Sequence, residues 1–509
     1  MQDGGSWYFG EMPLSRKVRA LVLRGRRREH SPAPPAKAGF RITALIVASA
    51  LFMEQLDSTV LSTALPTMAR GFGVSPLHMS MALTAYLLGL AIFIPASGTL
   101  ADRFGAKRIF RLAIVVFLTG SVFCGQAGSL PLLVAARFFQ GMGGAMMVPV
   151  GRLLLLRSVA RQDMVAAMSW FTIPALLGPV IGPPLGGFFV TYLSWRWIFY
   201  LNIPIGLIGI ALVTRYIENV REPSPARFDV PGFLLSALSL SCLMFGLELA
   251  SRGGISGAAT TLVLGVGLVA GGAYFLHARS ASQPILDLRL LRVPTFGLSV
   301  IGGSLSRITG GALPFLLPMM MQLGFGFSAA KSGLITFAAA LGSFAMKIAS
   351  PAILRVFGFR NTLIWNGLLA SLLLAVYAAF RPGWPMAATY AVLLLGGFFQ
   401  SLQFTAYNTI AYADIPARRM SAATSLYTTL QQTMLSMGIC VSSGALALSV
   451  FVTGHGSPRF PDFSAAFLTV TAISLLASPV CARLPRGTGD DMSGHHTRRK
   501  INPGHMETR

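Results

Sequence analysis

Six ionisable side chains stand inside apolar stretches of the sequence, where a charge is costly. They are Glu54, Asp57, Arg137, Glu248, Arg307 and Lys347. A charge in the middle of a lipid-embedded helix costs about 2.5–3.5 kcal/mol on insertion scales, so such residues are the first candidates for function. A carboxyl group there can bind and release a proton, because burial disfavours its charged form and a nearby cation favours it. The chemistry that these residues predict is therefore reversible protonation.

Asp57 and Arg137 are expected to meet. Glu54 and Asp57 are three residues apart and share one face of a helix. The stretch that holds Asp57 ends two to three turns later at Pro66, whereas Arg137 follows Leu130 by about two turns, in a stretch that runs the opposite way. Both side chains therefore lie at similar depth, and pairing would lower the cost of each charge. The alternatives are a purely structural ion pair and, for Glu54, a packing acid bonded to backbone.

The other intramembrane polar residues allow two interpretations each. Arg307 lies at mid-depth and either balances the acids across a central cavity or binds a substrate anion. Lys347 is closer to an end and can extend its ammonium group to the membrane surface, and Glu248 is interpreted as structural. The residues predicted to line a substrate cavity are Arg307, Tyr407, Asn408 and Gln431.

The elements that position these residues are predicted to be membrane-spanning helices. The chain has 509 residues, of which 53% are hydrophobic and 11% charged. Apolar stretches of about twenty residues recur along it, the length that a helix needs to cross a bilayer, and a helix pairs the backbone groups that lipid cannot. The predicted spans are 42–65, 79–100, 109–127, 130–155, 164–191, 197–216, 231–250, 258–277, 294–322, 331–351, 361–380, 385–411, 421–451 and 463–483.

The distribution of basic residues predicts the orientation of the spans. Alternate connections hold few basic residues, namely Arg70, Arg196, Arg252, Lys331, Arg381 and Arg459. The tails and the remaining connections hold nearly all the others, so both termini are predicted to be cytoplasmic. We therefore interpret the net charge of +24 as a topology signal and as the result of basic residues that contact anionic lipid. We expect no nucleic-acid partner. Four scattered cysteines show no metal or disulfide spacing, and we predict no metal site.

A short charged loop follows the second predicted span. It contains Gly98, Asp102, Arg103, Gly105, Lys107 and Arg108. Gly105 permits a backbone conformation that strains other residues, and Asp102 can pair with its basic neighbours. A degenerate copy follows the tenth span, with Gly358 aligned to Gly105 and Arg355 in the place of Asp102. The pair indicates an internal repeat of six-helix halves, separated by two extra helices.

The fifth span contains an unusual density of glycine and proline. The residues that define the run are Gly178, Gly182, Pro183, Gly186 and Gly187. Small residues allow close helix packing in lipid, while the prolines are expected to bend the helix. The run is followed by the aromatic segment 194–206, which suits a membrane interface.

These motifs resemble those of a known family. The charged loop is similar to the signature loop of the major facilitator superfamily, and the fifth span matches the G-x-x-x-G-P-x-x-G-G antiporter motif of its drug:proton antiporters. Segments 56–66 and 194–206 are similar to the fourteen-helix EmrB/QacA-type branch. The resemblance covers about residues 42–484. It implies two six-helix bundles plus two additional helices, and it implies that Asp57 and Arg137 are the proton-coupling and relay positions. Glu54, on the same helix face as Asp57, is our further candidate for proton coupling.

We therefore predict an all-α polytopic membrane protein with five parts. They are a disordered basic tail (1–41), an N-terminal six-helix bundle (42–217), two accessory helices (218–292), a C-terminal six-helix bundle (293–484) and a second tail (485–509). The predicted function is proton-coupled multidrug efflux across the bacterial inner membrane. The alternative is a dedicated single-solute transporter, either an importer or a natural-product exporter.

The expected partners are the lipid bilayer, protons and a small-molecule substrate whose identity and charge the sequence does not specify. A periplasmic adaptor is a further candidate partner, for which the sequence carries no signal. We find no phosphate-binding loop or nucleophile motif, so we expect no enzymatic activity and no cofactor, with the proton gradient as the energy source.

Overall fold

The computed structural model describes residues 40–159, 164–219, 228–250, 257–454, 456–485 and 487–495, and all regular secondary structure within these ranges is helical. Most of both predicted tails lies outside these ranges, as do Arg161, Arg221, Arg227 and Arg252. The membrane-spanning helices, in chain order, are α1 (Phe40–Val60), α2 (Ser80–Phe104), α3 (Ala106–Gln126), α4 (Leu130–Ser158), α5 (Met164–Tyr192), α6 (Asn202–Tyr216), α7 (Val230–Ala250), α8 (Gly257–Ser280), α9 (Pro294–Met319), α10 (329–357), α11 (359–378), α12 (Met386–Ile410), α13 (Met420–Thr453) and α14 (Phe460–Leu475).

The fourteen-helix prediction agrees with the described part of the chain. Twelve helices there are long and apolar enough to cross a membrane. One of them, Ala329–Ala378, has 50 residues and a non-helical backbone at Gly358, where the chain turns between α10 and α11. Helix α5, with 29 residues, supplies the remaining span. The fourteenth span differs most from its prediction, because α14 ends at Leu475 and a separate short helix covers Ala477–Ala482. The first span also ends early, since α1 ends at Val60 and a separate short helix covers Leu65–Phe72.

Two glycine turns mark one end of the helical bundle, which we call the Gly105 end. Gly105 joins α2 to α3 with a φ of 97°, and Gly358 joins α10 to α11 with a φ of 69°. Both values lie in the left-handed region, which glycine adopts without the steric cost of a Cβ atom. The repeated loops predicted from the sequence therefore form equivalent turns.

Each turn is tied to the last helix of its own half. Lys107 Nζ donates to the carbonyl oxygen of Thr214 near the end of α6, at 3.0 Å. Arg360 donates to the carbonyl oxygens of Leu484 and Ala482 at 2.8 and 2.9 Å, at the end of the short helix that follows α14, Ala477–Ala482. These matching contacts are the structural expression of the internal repeat.

At the opposite end, Trp195 lies in the connection between α5 and α6. We call it the Trp195 end, and here the first six helices contact the last six. Gly187 of α5 lies against the backbone of Ala329, and Gly333 of α10 lies against the backbone of Pro183. Gln322 donates to the carbonyl oxygen of Thr63 at 2.9 Å. A second junction brings α13 against α2. The two halves are therefore in close contact at this end.

The accessory helices α7 and α8 pack on each other, and α7 also contacts α2 and α13. Glu248 of α7 is buried at that junction. It accepts a hydrogen bond from Ser80 of α2 at 2.5 Å, and its other oxygen accepts one from Cys440 of α13 at 3.4 Å. An accessory helix thus reaches into the interface between the two halves.

Candidate functional site

Asp57 lies in α1 at the centre of the first six helices, with 1% of its surface exposed. Its Oδ2 accepts a hydrogen bond from Arg137 Nη1 of α4 at 2.5 Å. Its Oδ1 accepts from Gln140 Nε2 at 2.9 Å and from Asn202 Nδ2 at 3.0 Å. The contact expected from the depths of the two residues is present, and three donors surround the carboxylate.

Arg137 is fully buried and makes stabilising contacts in addition to its bond with Asp57. Its Nη1 also donates to Gln140 Oε1 at 2.7 Å, and its guanidinium carbon lies 4.2 Å from the centroid of the Tyr86 ring. A desolvated cation over an aromatic face gains about 2 kcal/mol or more. The pair and its surroundings therefore form one network in which the two opposite charges compensate each other.

The network extends to residues that sequence reasoning missed as site residues. Asn202, at the start of α6, donates to both Asp57 and Ser121 Oγ of α3, and Ser121 donates to the carbonyl oxygen of Phe199 at 2.8 Å. Gln140 was detectable, since it lies three residues after Arg137 and shares its helix face. Asn202 stands in the aromatic segment that followed the fifth span, but nothing in its spacing linked it to Asp57.

The arrangement has a chemical consequence for proton binding. All three side chains around Asp57 act as donors, whereas a protonated carboxyl group carries a hydrogen that needs an acceptor. The observed arrangement is therefore complementary to a carboxylate that accepts hydrogen bonds at both oxygens, and these three groups offer no acceptor to a bound proton.

Glu54 lies one turn from Asp57 toward the Gly105 end, with 6% of its surface exposed. Its recorded hydrogen bond comes from Tyr86 Oη at 3.5 Å, which is long. Among the residues that the structure describes, no basic group lies within 4 Å of Glu54. Tyr86 therefore contacts the surroundings of both acids. Its hydroxyl group lies near Glu54, and its ring packs against Arg137, the partner of Asp57.

The glycines of the fifth span are packing positions. A Cβ atom on Gly178 would lie 2.9 Å from the backbone nitrogen of Leu56, and added carbons on Gly182 and Gly186 would overlap Thr59 and Val60 of α1. These three glycines form one face of α5, and Gly187 packs against α10. Pro183 lies within α5, which remains one continuous helix across its prolines. The motif thus holds α5 close to the helix that carries Asp57.

The charged loop lies at the Gly105 end, away from the acids. Gly105 is buried beside the side chain of Asn219, and the backbone nitrogen of Arg108 donates to Asn219 Oδ1 at 3.4 Å. Asp102 is half-buried, Arg103 is exposed and Gly98 has open space around it. The structure thus places the loop as a connection between α2, α3 and the end of α6.

The residues predicted for a substrate cavity separate into two groups. Arg307 Nη2 donates to Asn408 Oδ1 at 3.2 Å, and Gln431 Nε2 donates to the same oxygen at 2.5 Å. Tyr407 faces elsewhere: it is buried in an apolar cluster, and its hydroxyl contacts Cys481 Sγ at 2.8 Å. Within the described ranges, no cluster of three potential metal ligands occurs, and the four cysteines are free.

The model of the major facilitator superfamily matches residues 47–439, which is most of the chain. The chain belongs to the major facilitator superfamily. A member from Salmonella heidelberg, named as a multidrug resistance protein, MdtD, is 41% identical over 457 residues and aligns with 88% of this chain and 95% of its own length. A member of the same name from Escherichia coli O157:H7 is 39% identical over 451 residues, with the same coverage.

Solved structures of other transporters share the fold of this chain. An auto-inhibited peptide transporter of the POT family has a TM-score of 0.63 at 16% identity, and the match covers 88% of this chain and 97% of that one. The nucleoside transporter NupG has a TM-score of 0.60 at 14% identity, with coverage of 87% and 99%. At such identities the likeness concerns the superfamily fold alone.

Proposed function

We propose that this protein is a proton-coupled antiporter that exports small hydrophobic or amphipathic compounds by alternating access. The single observation that carries the proposal is the buried Asp57–Arg137 pair with a second buried acid, Glu54, one turn away. The relatives named as multidrug resistance proteins support the export of several compounds. The activity moves its substrate without chemical change, and the proton gradient supplies the energy.

We propose that the protein lies in the bacterial inner membrane with both termini in the cytoplasm. The described basic residues support this orientation, because the Gly105 end carries many more of them than the Trp195 end. At the Trp195 end the described loops contribute Arg70, Arg196, Lys331, Arg381 and Arg459. Basic residues accumulate on the cytoplasmic side of bacterial membrane proteins. The Gly105 end is therefore cytoplasmic, and the joined Trp195 end faces outward.

Alternating access then follows from the contacts between the halves. The junctions of α5 with α10 and of α2 with α13 close the outer end in this conformation. Opening that end requires α5 to separate from α10 and α2 to separate from α13. This movement also displaces α1, which packs on α5, and α4, which packs on α2. Because α5 packs closely on α1 through its glycines, a movement of α5 is transmitted to the helix that carries Glu54 and Asp57.

The two acids divide the proton chemistry. An isolated carboxylate is costly in an apolar interior, so Glu54 binds a proton when the outer end is closed. Arg137, Gln140 and Asn202 all donate to the carboxylate of Asp57 in the closed state. Separation of α1 from α4 withdraws Arg137 from Asp57, and the carboxylate then accepts a proton from the outer side. Glu54 releases its own proton to the cytoplasm, and return of Arg137 then displaces the proton of Asp57 to the vacated carboxylate of Glu54.

The proposal is tested by proton release from the purified protein in liposomes. Addition of a transported compound should release protons from the wild type, and a proton gradient should drive its accumulation. Asp57→Asn and Glu54→Gln should each abolish uphill transport, because one exchangeable carboxyl group is lost. Asp414→Asn, which changes an exposed acid, is the matched control and should behave as the wild type. Uphill transport by both site variants would refute the proposal.

A further inference from the structure

Two cations of the last six helices lie beside one aromatic ring. The guanidinium carbon of Arg307 in α9 is 3.3 Å from the centroid of the Phe404 ring in α12. Lys347 Nζ of α10 is 5.4 Å from the same centroid. Three helices thus bring two positive charges to one phenylalanine, in the half of the molecule opposite Glu54 and Asp57.

Neither cation has an anionic partner within 4 Å among the residues that the structure describes. Arg307 donates to the neutral amide of Asn408, and Lys347 donates to the hydroxyl of Thr405 at 2.8 Å. The contrast with Arg137 is direct, because Arg137 touches a carboxylate. A buried cation that lacks a fixed counter-charge is a candidate binding position for an anion that comes and goes.

Lys347 belongs to this cluster and does not extend to the membrane surface. Its ammonium group is fixed on Thr405, one residue from Phe404. The sequence was also compatible with an ammonium group that extends to the lipid headgroups. The hydrogen bond to Thr405 instead directs the Lys347 side chain toward α12. The two positive charges therefore act on the same small volume.

The cluster combines a buried guanidinium group with neighbours that are partly accessible. Arg307 is 5% exposed, whereas Phe404 is 40% exposed and Lys347 and Asn408 are half-buried. The oxygen of Asn408 already receives bonds from both Arg307 and Gln431. A guanidinium has five N–H donors, so Arg307 retains donors for a carboxylate, sulfonate or phosphate oxygen.

We propose that the transported compound is an organic anion, with its acidic group at Arg307 and Lys347 and its apolar or aromatic body against Phe404. This assignment rests on the proposed transport function and specifies its substrate class. Asn408 and Gln431 orient Arg307 through their shared hydrogen bonds. A cationic compound is disfavoured at this position, because it would face two like charges in a medium of low polarity.

The competing role for Arg307 is electrostatic compensation of Glu54 across the space between the halves. That role requires only a charge and predicts equal effects on every substrate. Anion binding predicts that loss of Arg307 affects acidic compounds and leaves neutral compounds of the same shape unaffected. The two roles are therefore separated by ligand charge.

The experiment uses three ligands of one shape: naphthalene-2-carboxylate, its neutral carboxamide and the naphthalen-2-ylmethylammonium cation. Binding to the full chain in detergent is measured by calorimetry. The carboxylate should bind the wild type at least about tenfold more tightly than the other two. Arg307→Gln should weaken carboxylate binding by about 10- to 100-fold, since a hydrogen bond between charged groups is lost. Lys347→Gln should weaken it about three- to tenfold.

Arg381→Gln is the matched control, because Arg381 also lies over a phenylalanine ring, 3.9 Å from the centroid of Phe460, but near the Trp195 end. It should leave all three affinities unchanged. A carboxylate that binds the wild type no better than the amide overturns the assignment, even if no variant can be purified. So does an equal loss of affinity for all three ligands in Arg307→Gln. Proton-driven transport of lipophilic cations alone would overturn it while leaving the antiporter function intact.

Discussion

The ion pair of Asp57 and Arg137 can be tested by a double-mutant cycle. Arg137→Ala removes the cation and leaves a buried carboxylate with the donors Gln140 and Asn202. Breaking a buried pair by removing one partner costs about 3–5 kcal/mol. Asp57→Asn leaves Arg137 buried without its counter-charge. Both oxygens of Asp57 accept hydrogen bonds. The asparagine therefore places its amide NH₂ group opposite another donor, and one hydrogen bond is lost. We expect a similar cost.

The double variant, Asp57→Asn with Arg137→Ala, leaves no unpaired charge. Its loss of stability should therefore fall short of the sum of the single losses by about 2–3 kcal/mol, within the range for residues in contact. The double variant should also insert at least as well as Arg137→Ala alone. The assay is unfolding of the purified variants in mixed micelles with increasing sodium dodecyl sulfate, followed by circular dichroism.

A control cycle combines Asp414→Asn with Arg381→Ala, two exposed residues at opposite ends of the bundle. These losses should add within about 0.5 kcal/mol. Additive losses in the Asp57 and Arg137 cycle as well would mean that the two side chains do not meet in the membrane, and the proton pathway proposed here would lose its basis.

Two further predictions concern the packing around the site. Gly182→Leu should impair export and destabilise the protein by about 1–3 kcal/mol, because its Cβ atom would overlap Thr59 of α1; Gly272→Ala, which has open space, should match the wild type in transport and unfolding assays. Glu248→Ala should favour opening of the Trp195 end, because the bond from Ser80 is lost, whereas Glu248→Gln should retain the closed state. Distances between spin labels on α2 and α13 measure this opening, and unchanged distances in Glu248→Ala would exclude the role.

The sequence predicts depth in the membrane better than it predicts rotation of the helices. Asp57 and Arg137 could be paired because opposite chain directions and distances from the helix ends fix how deep each residue lies. Which polar residues of α3 and α6 face Asp57 depends on how those helices are turned about their axes. Ser121 and Asn202 were therefore beyond reach from periodicity alone.

The same reason explains the neighbours Tyr407 and Asn408. Adjacent helical residues point about 100° apart, so one of them joins Arg307 and the other packs against Cys481. The sequence indicated that this segment of α12 carries a polar face but not which residue lies on it. The small-residue face of α5 was likewise evident from its four-residue spacing, whereas its partner helix α1 required the fold.

The compensation of Asp57 by Arg137 also has an electrical consequence. Moving one elementary charge through a membrane potential of 100 mV involves about 2.3 kcal/mol. The pair carries no net charge while it stays joined, so a movement of α1 and α4 together does no net electrical work on it. Over a full cycle the protein returns to its starting state, and the net charge moved is that of the cargo and the proton alone. For one proton per cycle, exchange for a monocation moves no net charge, exchange for a neutral compound moves one and exchange for a monoanion moves two. The current across a planar bilayer should therefore report the charge of the exported compound.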